Sequence, residues 1–307
     1  MAKSTREAYG EALAELGAVN DKIVVMDADL SGSTKTSTFR KAFPDRFFNF
    51  GIAEANMVCA AAGFAFSGYV PFVSTFAIFG AGRAYEQIRN TVDYTGANVK
   101  IACSHAGLSV GEDGGSHQAL EDISLMRGLP GMTVLVPCDE AEAKKAVKAA
   151  VEINGPVYLR LSRPNTEAVT REDSPFIPGK ANVLREGGDA AIFATGLMVG
   201  RALKAAELLE SQGISAAVLN FHTIKPIDRE AILRYNSKVK AIVTAEEHFT
   251  AGGLGSAVTE VLTGQPGARF DRVGVEDRFG QSGKPDALFE EYGLTAENIA
   301  ARVKALL

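Results

Sequence analysis

Apolar positions along this chain fall into two alternating rhythms. Short unbroken runs within KIVVMDAD, GYVPFVSTF, VKIACSHAG, MTVLVPCD and PVYLRLSR leave no polar face and read as strands buried on both sides. Between them lie helical stretches: Thr5 to Leu16, the small-residue segment inside FFNFGIAEANMVCAAAGFAFSGYVPFVSTF, and DEAEAKKAVKAAVE. Strands separated by helices imply a parallel sheet with both faces covered. The rhythm breaks in SRPNTEAVTREDSPFIPGK, which holds three prolines and no sustained period, so residues 168–180 read as a linker. It restarts with DAAIFATG, VGRALKAAELLESQG, ISAAVLNF, DREAILRYN, KAIVTAEE, GGLGSAVTEVLTG and FDRVGVED, and a final helix closes the chain. The pattern predicts two doubly wound α/β domains, residues 1–167 and a smaller one at 181–307.

Composition narrows the partners. Hydrophobic residues at 46% and charged residues at 22% are ordinary for a globular chain of two-domain length and exclude disorder and fibre. The formal charge of −5 is spread without a basic block, which argues against nucleic acid. The charged, amphipathic N-terminus lacks a signal-peptide core and no apolar run approaches ~20 residues, so no membrane is expected and the cytoplasm is the default location. Cys59, Cys103 and Cys138 are odd in number and widely spaced; they read as core thiols rather than as a disulfide framework or a zinc site.

The carboxyl ends of parallel strands are where such folds place chemistry, and several polar residues fall there: Asp27 and Asp29, Ser74 to Phe76, His105 and Arg163. Glu54 opens a helix of small and apolar residues, where poor hydration raises a carboxyl pKa; the plainer reading is a glutamate favoured by the helix dipole. The stretch HAGLSVGEDGGSHQALED gathers His105, Glu112, Asp113 and His117 with Gly107, Gly111, Gly114 and Gly115. Glycines there would let a ligand approach closely; a solvated loop is the alternative, and a metal site lacks a close histidine pair. Phe76 and Phe79, at helical spacing, are either core packing or a wall for a flat heterocycle. Arg6 and Arg163 could each present a planar fork to a phosphate or a surface ion pair. Glu246, Glu247 and His248 before a glycine turn suit either a site or an interface, and no chemistry is assigned to them.

In order along the chain, DADL, FNFGIAEANM, STF, SHAGLSVGEDGGSHQALEDI, LSRPN and HTIKPID resemble the C-terminal portion of transketolase. The resemblance covers essentially the whole chain and implies a pyrimidine-binding thiamine diphosphate fold followed by a transketolase C-terminal domain. It also implies transfer of a two-carbon ketol unit from a ketose phosphate to an aldose phosphate. By resemblance, Glu54 bonds the aminopyrimidine, favouring the tautomer that lets the cofactor generate its own carbanion. Phe76 and Phe79 wall the pyrimidine ring and Asp29 lies close to the cofactor. Asp113 takes a substrate hydroxyl, His105 and His117 contact substrate oxygens and assist proton transfer, and Arg6, Ser33 and Arg163 hold the sugar phosphate. Gly115 and Ser116 stand where the family has proline and threonine, which should loosen the loop, and Gly82 stands where an aromatic residue completes the wall.

The family's diphosphate-binding GDG motif is absent from this sequence. The resemblance therefore implies a split enzyme: a separate N-terminal subunit carries the diphosphate ligands and Mg2+, this chain contributes no metal ligand, and self-association runs through the C-terminal half. Rival expectations are the beta subunit of a 2-oxo acid dehydrogenase, a deoxyxylulose phosphate synthase relative, and a catalytically silent partner subunit.

Overall fold

The computed structural model describes residues 3–307. The first half supplies six strands, β1 (Ile23–Asp27), β2 (Phe47–Asn49), β3 (Val70–Phe76), β4 (Lys100–Ser104), β5 (Thr133–Leu135) and β6 (Val157–Arg160). The second half supplies β7 (Asn182–Arg185), β8 (Ala190–Ala194), β9 (Ala216–Asn220), β10 (Thr223–Lys225), β11 (Ala241–Phe249) and β12 (Arg269–Val275). One sheet runs β10-β5-β6-β4-β3-β1-β2, the other β12-β11-β8-β9-β7. Both are parallel except for β10, antiparallel to β5, and β7, antiparallel to β9. The fold class is thus α/β, two parallel-dominated sheets covered by helices. The pairing of β10 carries the first sheet across the domain division.

The elements follow from local chemistry. Strands β1, β4, β8 and β9 are buried at every position, as unbroken apolar runs require. The helix Thr5–Val19 opens with a capping box of Ser4 and Glu7, which satisfies orphan N–H groups at its start. Asp139 caps the helix Glu140–Glu152 through the N–H of Glu142. Residues 168–180 carry no helix or strand, but they are tied down: the buried Asp139 carboxylate accepts the N–H groups of Val169 and Thr170 at 2.9 and 2.6 Å. No helix among the described residues is long and apolar enough to cross a membrane.

The cysteine reading needs one correction. Cys103 and Cys138 are buried, but Cys59 is exposed. It faces outward on the helix Glu54–Phe66, whose core side carries Met57, Val58, Ala61 and Ala62; a uniformly small, apolar helix gives no polar stripe to reveal which face is turned out.

Candidate active site

Because β1 to β6 are parallel, their carboxyl ends share one edge of the sheet. Register aligns it: Asp27 pairs with Asn49 and Ser74, and Phe76 with Ser104. The strand order reverses between β1 and β3, where crevices open in such sheets.

The buried Asp27 ties the turn after β1. It accepts the Leu30 N–H at 2.6 Å and the hydroxyls of Thr34 and Thr36 at 2.7 and 2.8 Å. Burial raises its pKa against the pull of those donors. The turn holds Asp29 at φ 64° and Lys35 at φ 70°, left-handed conformations that are strained for side-chain-bearing residues. It also points the Ser33 carbonyl at Arg6, whose Nη1 donates at 2.8 Å. The Asp29 carboxylate accepts Asn49 Nδ2 at 2.9 Å, so it lies toward β2, beside the turn that leads to Glu54.

Glu54 begins its helix with a side chain only 2% exposed. Arg83 Nη1 donates to both carboxylate oxygens, at 3.0 and 3.1 Å. The same guanidinium lies 4.6 Å from the centre of the Phe79 ring, a cation–π distance. Phe76 and Phe79 are not on one helix: Phe76 ends β3, and Phe79 sits in the π-helical turn Ile78–Arg83. Their rings are stacked at 5.9 Å with 14° between planes. Phe76 is buried and Phe79 half-buried, so the pair combines core packing with an accessible aromatic face.

Beyond Phe76, the His105 ring stacks on it at 3.8 Å. His105 follows β4 at φ 58°. Its Nε2 faces Arg6 Nη1 at 3.4 Å and its Nδ1 faces Ser104 Oγ at 2.8 Å. Arginine can only donate, so Nε2 is the acceptor and Nδ1–H donates to Ser104. Burial, followed by the charges of Arg6 and Arg163, lowers the His105 pKa to about 3, so the ring is neutral at physiological pH. Arg6 Nε donates to the Arg163 carbonyl at 3.2 Å. Arg163 in turn donates to the Val110 carbonyl and lies 3.6 Å from Glu112 and 3.8 Å from Asp113. His117 closes the circuit edge-on to Phe79 at 5.4 Å, its Nδ1 3.0 Å from Ser116 Oγ.

Contacts therefore string Glu54, Phe79, Phe76, His105, Arg6, Ser33, Arg163, Asp113 and His117 along one strand-end edge, with Asp29 at its β1–β2 end. Sequence reasoning missed Arg83 and Asn49, which lack a local signature. It also misassigned the loop glycines. A Cβ at Gly114 would lie 2.5 Å from Ser282 Oγ, and one at Gly115 would lie 2.6 Å from the Gly280 carbonyl oxygen. These glycines admit the chain's own second domain rather than a ligand, and Gln118 Nε2 donates to the Gln281 carbonyl at 3.0 Å in the same seam. Among the described residues no group of three or more His, Cys, Asp or Glu side chains is arranged to hold a metal.

Residues 1–168 match the transketolase pyrimidine binding domain and residues 179–299 the transketolase C-terminal domain. A Methanocaldococcus jannaschii protein named as a transketolase C-terminal section is 48% identical over 98% of this chain and 95% of its own length. A 6-deoxy-6-sulfo-D-fructose transketolase subunit of Clostridium sp. is 45% identical over 96% and 91%. Among solved structures, a split gene transketolase described as an inactive beta4 tetramer superposes with a TM-score of 0.92 at 52% identity, covering 100% of this chain and 99% of that one. With both domain matches in sequence and a near-complete structural match, the chain belongs to the transketolase family, as its pyrimidine-binding and C-terminal domains.

Proposed function

We propose that this chain is the C-terminal subunit of a split, cytoplasmic transketolase, moving a two-carbon ketol unit from a ketose phosphate to an aldose phosphate. The observation that carries this reading is the single edge joining a buried carboxylate, an aromatic wall, a neutral histidine and two arginines. Thiamine diphosphate, when bound, would supply the nucleophilic carbon that carries the two-carbon unit. This chain offers it a fitting seat: the Glu54 carboxylate for the aminopyrimidine, the Phe76 and Phe79 rings for its face, and Asp29 nearby. Arg83 keeps the buried carboxylate compensated until that polar partner arrives, since an unpaired buried charge is costly.

The substrate side combines a neutral histidine with a second histidine, a carboxylate and two arginines. Neutral His105 can accept a hydrogen bond at Nε2 from a sugar hydroxyl that takes the place of the 3.4 Å contact with Arg6. His117 stands across the aromatic pair as a second contact to substrate oxygens, and Asp113 accepts the hydroxyl beside the carbonyl. Arg6 and Arg163, with Ser33, present guanidinium forks to an anionic end group. A sulfonate would satisfy the same forks, and the relative named for 6-deoxy-6-sulfo-D-fructose favours assaying that sugar alongside the phosphates.

Diphosphate and Mg2+ are assigned to a separate N-terminal subunit. The match to the pyrimidine-binding and C-terminal domains, the relative named as a C-terminal section and the likeness to a split gene transketolase support this assignment. Self-association through the C-terminal half would complete the assembly. The test is Glu54→Gln in the reconstituted complex, expected to lower turnover by roughly 10²- to 10⁴-fold. Unchanged turnover would instead mark this chain as a catalytically silent subunit.

A further inference from the structure

The end of β11 belongs to the second sheet, yet it holds both ends of the loop assigned to substrate. At the loop's entrance, Glu247 Oε1 accepts the Ser109 N–H at 2.5 Å. Its carboxyl presses on Gly107, where φ is 79° and a side chain would collide with it. At the exit, the Phe249 N–H donates to the Leu120 carbonyl at 2.8 Å and the Ser124 N–H donates to His248 Nε2 at 3.2 Å. The loop is pinched at its neck by Gly107 N–H donating to the Ala119 carbonyl at 2.9 Å. Arg160 fixes the strand in turn, donating to the Glu247 carbonyl at 2.9 Å and to Asp122 at 2.8 Å.

Glu247 is the buried side chain in this arrangement that reaches into the loop. A carboxyl acceptor on a backbone N–H, in a site closed to water, holds position far better than an exposed contact. The bonded residue, Ser109, lies next to Val110, whose carbonyl anchors Arg163. Displacing Ser109 therefore moves the guanidinium and, three residues on from Val110, Asp113.

The geometry points to Glu247 as a positioning residue for sugar binding, acting from the C-terminal domain through Ser109 on Arg163 and Asp113. This rests on the proposed reading of the 105–117 loop as the substrate site. It gives the second domain a defined task in the reaction: the loop's shape is set by a strand outside the sheet that carries it.

The test has two arms. In the isolated chain, Glu247→Ala should speed amide hydrogen exchange in residues 107–118 while the other strands keep their protection. In the complex reconstituted with the N-terminal subunit, it should raise KM for the sugar phosphate by about tenfold, with thiamine diphosphate affinity held and kcat changed less. Glu247→Gln keeps an acceptor for Ser109 and should restore both readouts. If Glu247→Ala does not fold, Glu247→Asp, which withdraws the carboxylate by one methylene, must show the same loop exchange and KM rise. Unchanged loop exchange and KM would overturn the inference, as would losses spread equally over exchange, cofactor affinity and kcat. Asp113→Ala separates the two levels: if it leaves KM unchanged, the substrate-loop reading itself fails, and if it raises KM while Glu247→Ala does not, only the role of Glu247 fails.

Discussion

His222 shows how a single buried ring shapes the response to acid. It is fully buried against Phe176, the rings 4.1 Å apart, and burial lowers its pKa from 6.5 to about 4. The unfolded chain therefore binds a proton between those values that the folded chain refuses, and stability falls as pH drops through that window. Glu246 acts in the opposite sense: burial raises its pKa to about 7, so it favours the folded state on acidification from about 7 towards 4.5. A variant comparison isolates the histidine. Between about pH 6 and 4.5, wild-type stability measured by urea unfolding should fall up to about 1.4 kcal/mol more per pH unit than that of His222→Leu. Parallel slopes would show that the ring is not held neutral.

Residue-scale legibility was uneven for a physical reason. The burial of Glu54 follows from the small, apolar helix it opens, and the accessible aromatic face follows from two phenylalanines near a strand end. Arg83 was invisible because its two contacts, with Glu54 and Phe79, depend on a π-helical turn that no hydrophobic period announces. Phe79 is the residue to remove: Phe79→Ala should weaken thiamine diphosphate binding in the complex by roughly 0.5–1.5 kcal/mol beyond the lost area, read by cofactor titration. Undiminished affinity would take the ring out of the wall.

At the scale of elements, alternating strands and helices were legible because buried parallel strands must be apolar throughout. Packing between elements was not. The glycines of the 107–115 loop signal close approach, but sequence cannot say what approaches, and at Gly115 it is the backbone of Gly280. The absent side chain makes room for a neighbouring loop, a different consequence from the looseness expected. Gly115→Ala should therefore destabilise the chain by about 1–3 kcal/mol, measured by thermal or urea unfolding; a neutral effect would mean that the seam opens freely. A second hidden element is the buried pair of Arg160 and Asp122, 2.8 Å apart, with Tyr158 donating to the same carboxylate oxygen at 2.7 Å. Asp122→Ala leaves a guanidinium uncompensated and should cost about 3–5 kcal/mol in the same measurement.

For the whole molecule, β10 joins the first sheet, β11 holds the 105–117 loop, and Asp139 fastens the segment between the domains. Such long-range pairings leave no periodic trace, so two domains were legible but their mutual dependence was not. Together they present one edge, proposed as half of a thiamine diphosphate site, and that proposal requires another chain to supply the rest. The most direct measurement is ketol transfer between xylulose 5-phosphate and ribose 5-phosphate with thiamine diphosphate and Mg2+, run on this chain alone and after mixing with a GDG-bearing N-terminal subunit. Turnover in the mixture and none from either chain alone is the predicted result; robust turnover by this chain alone would contradict it.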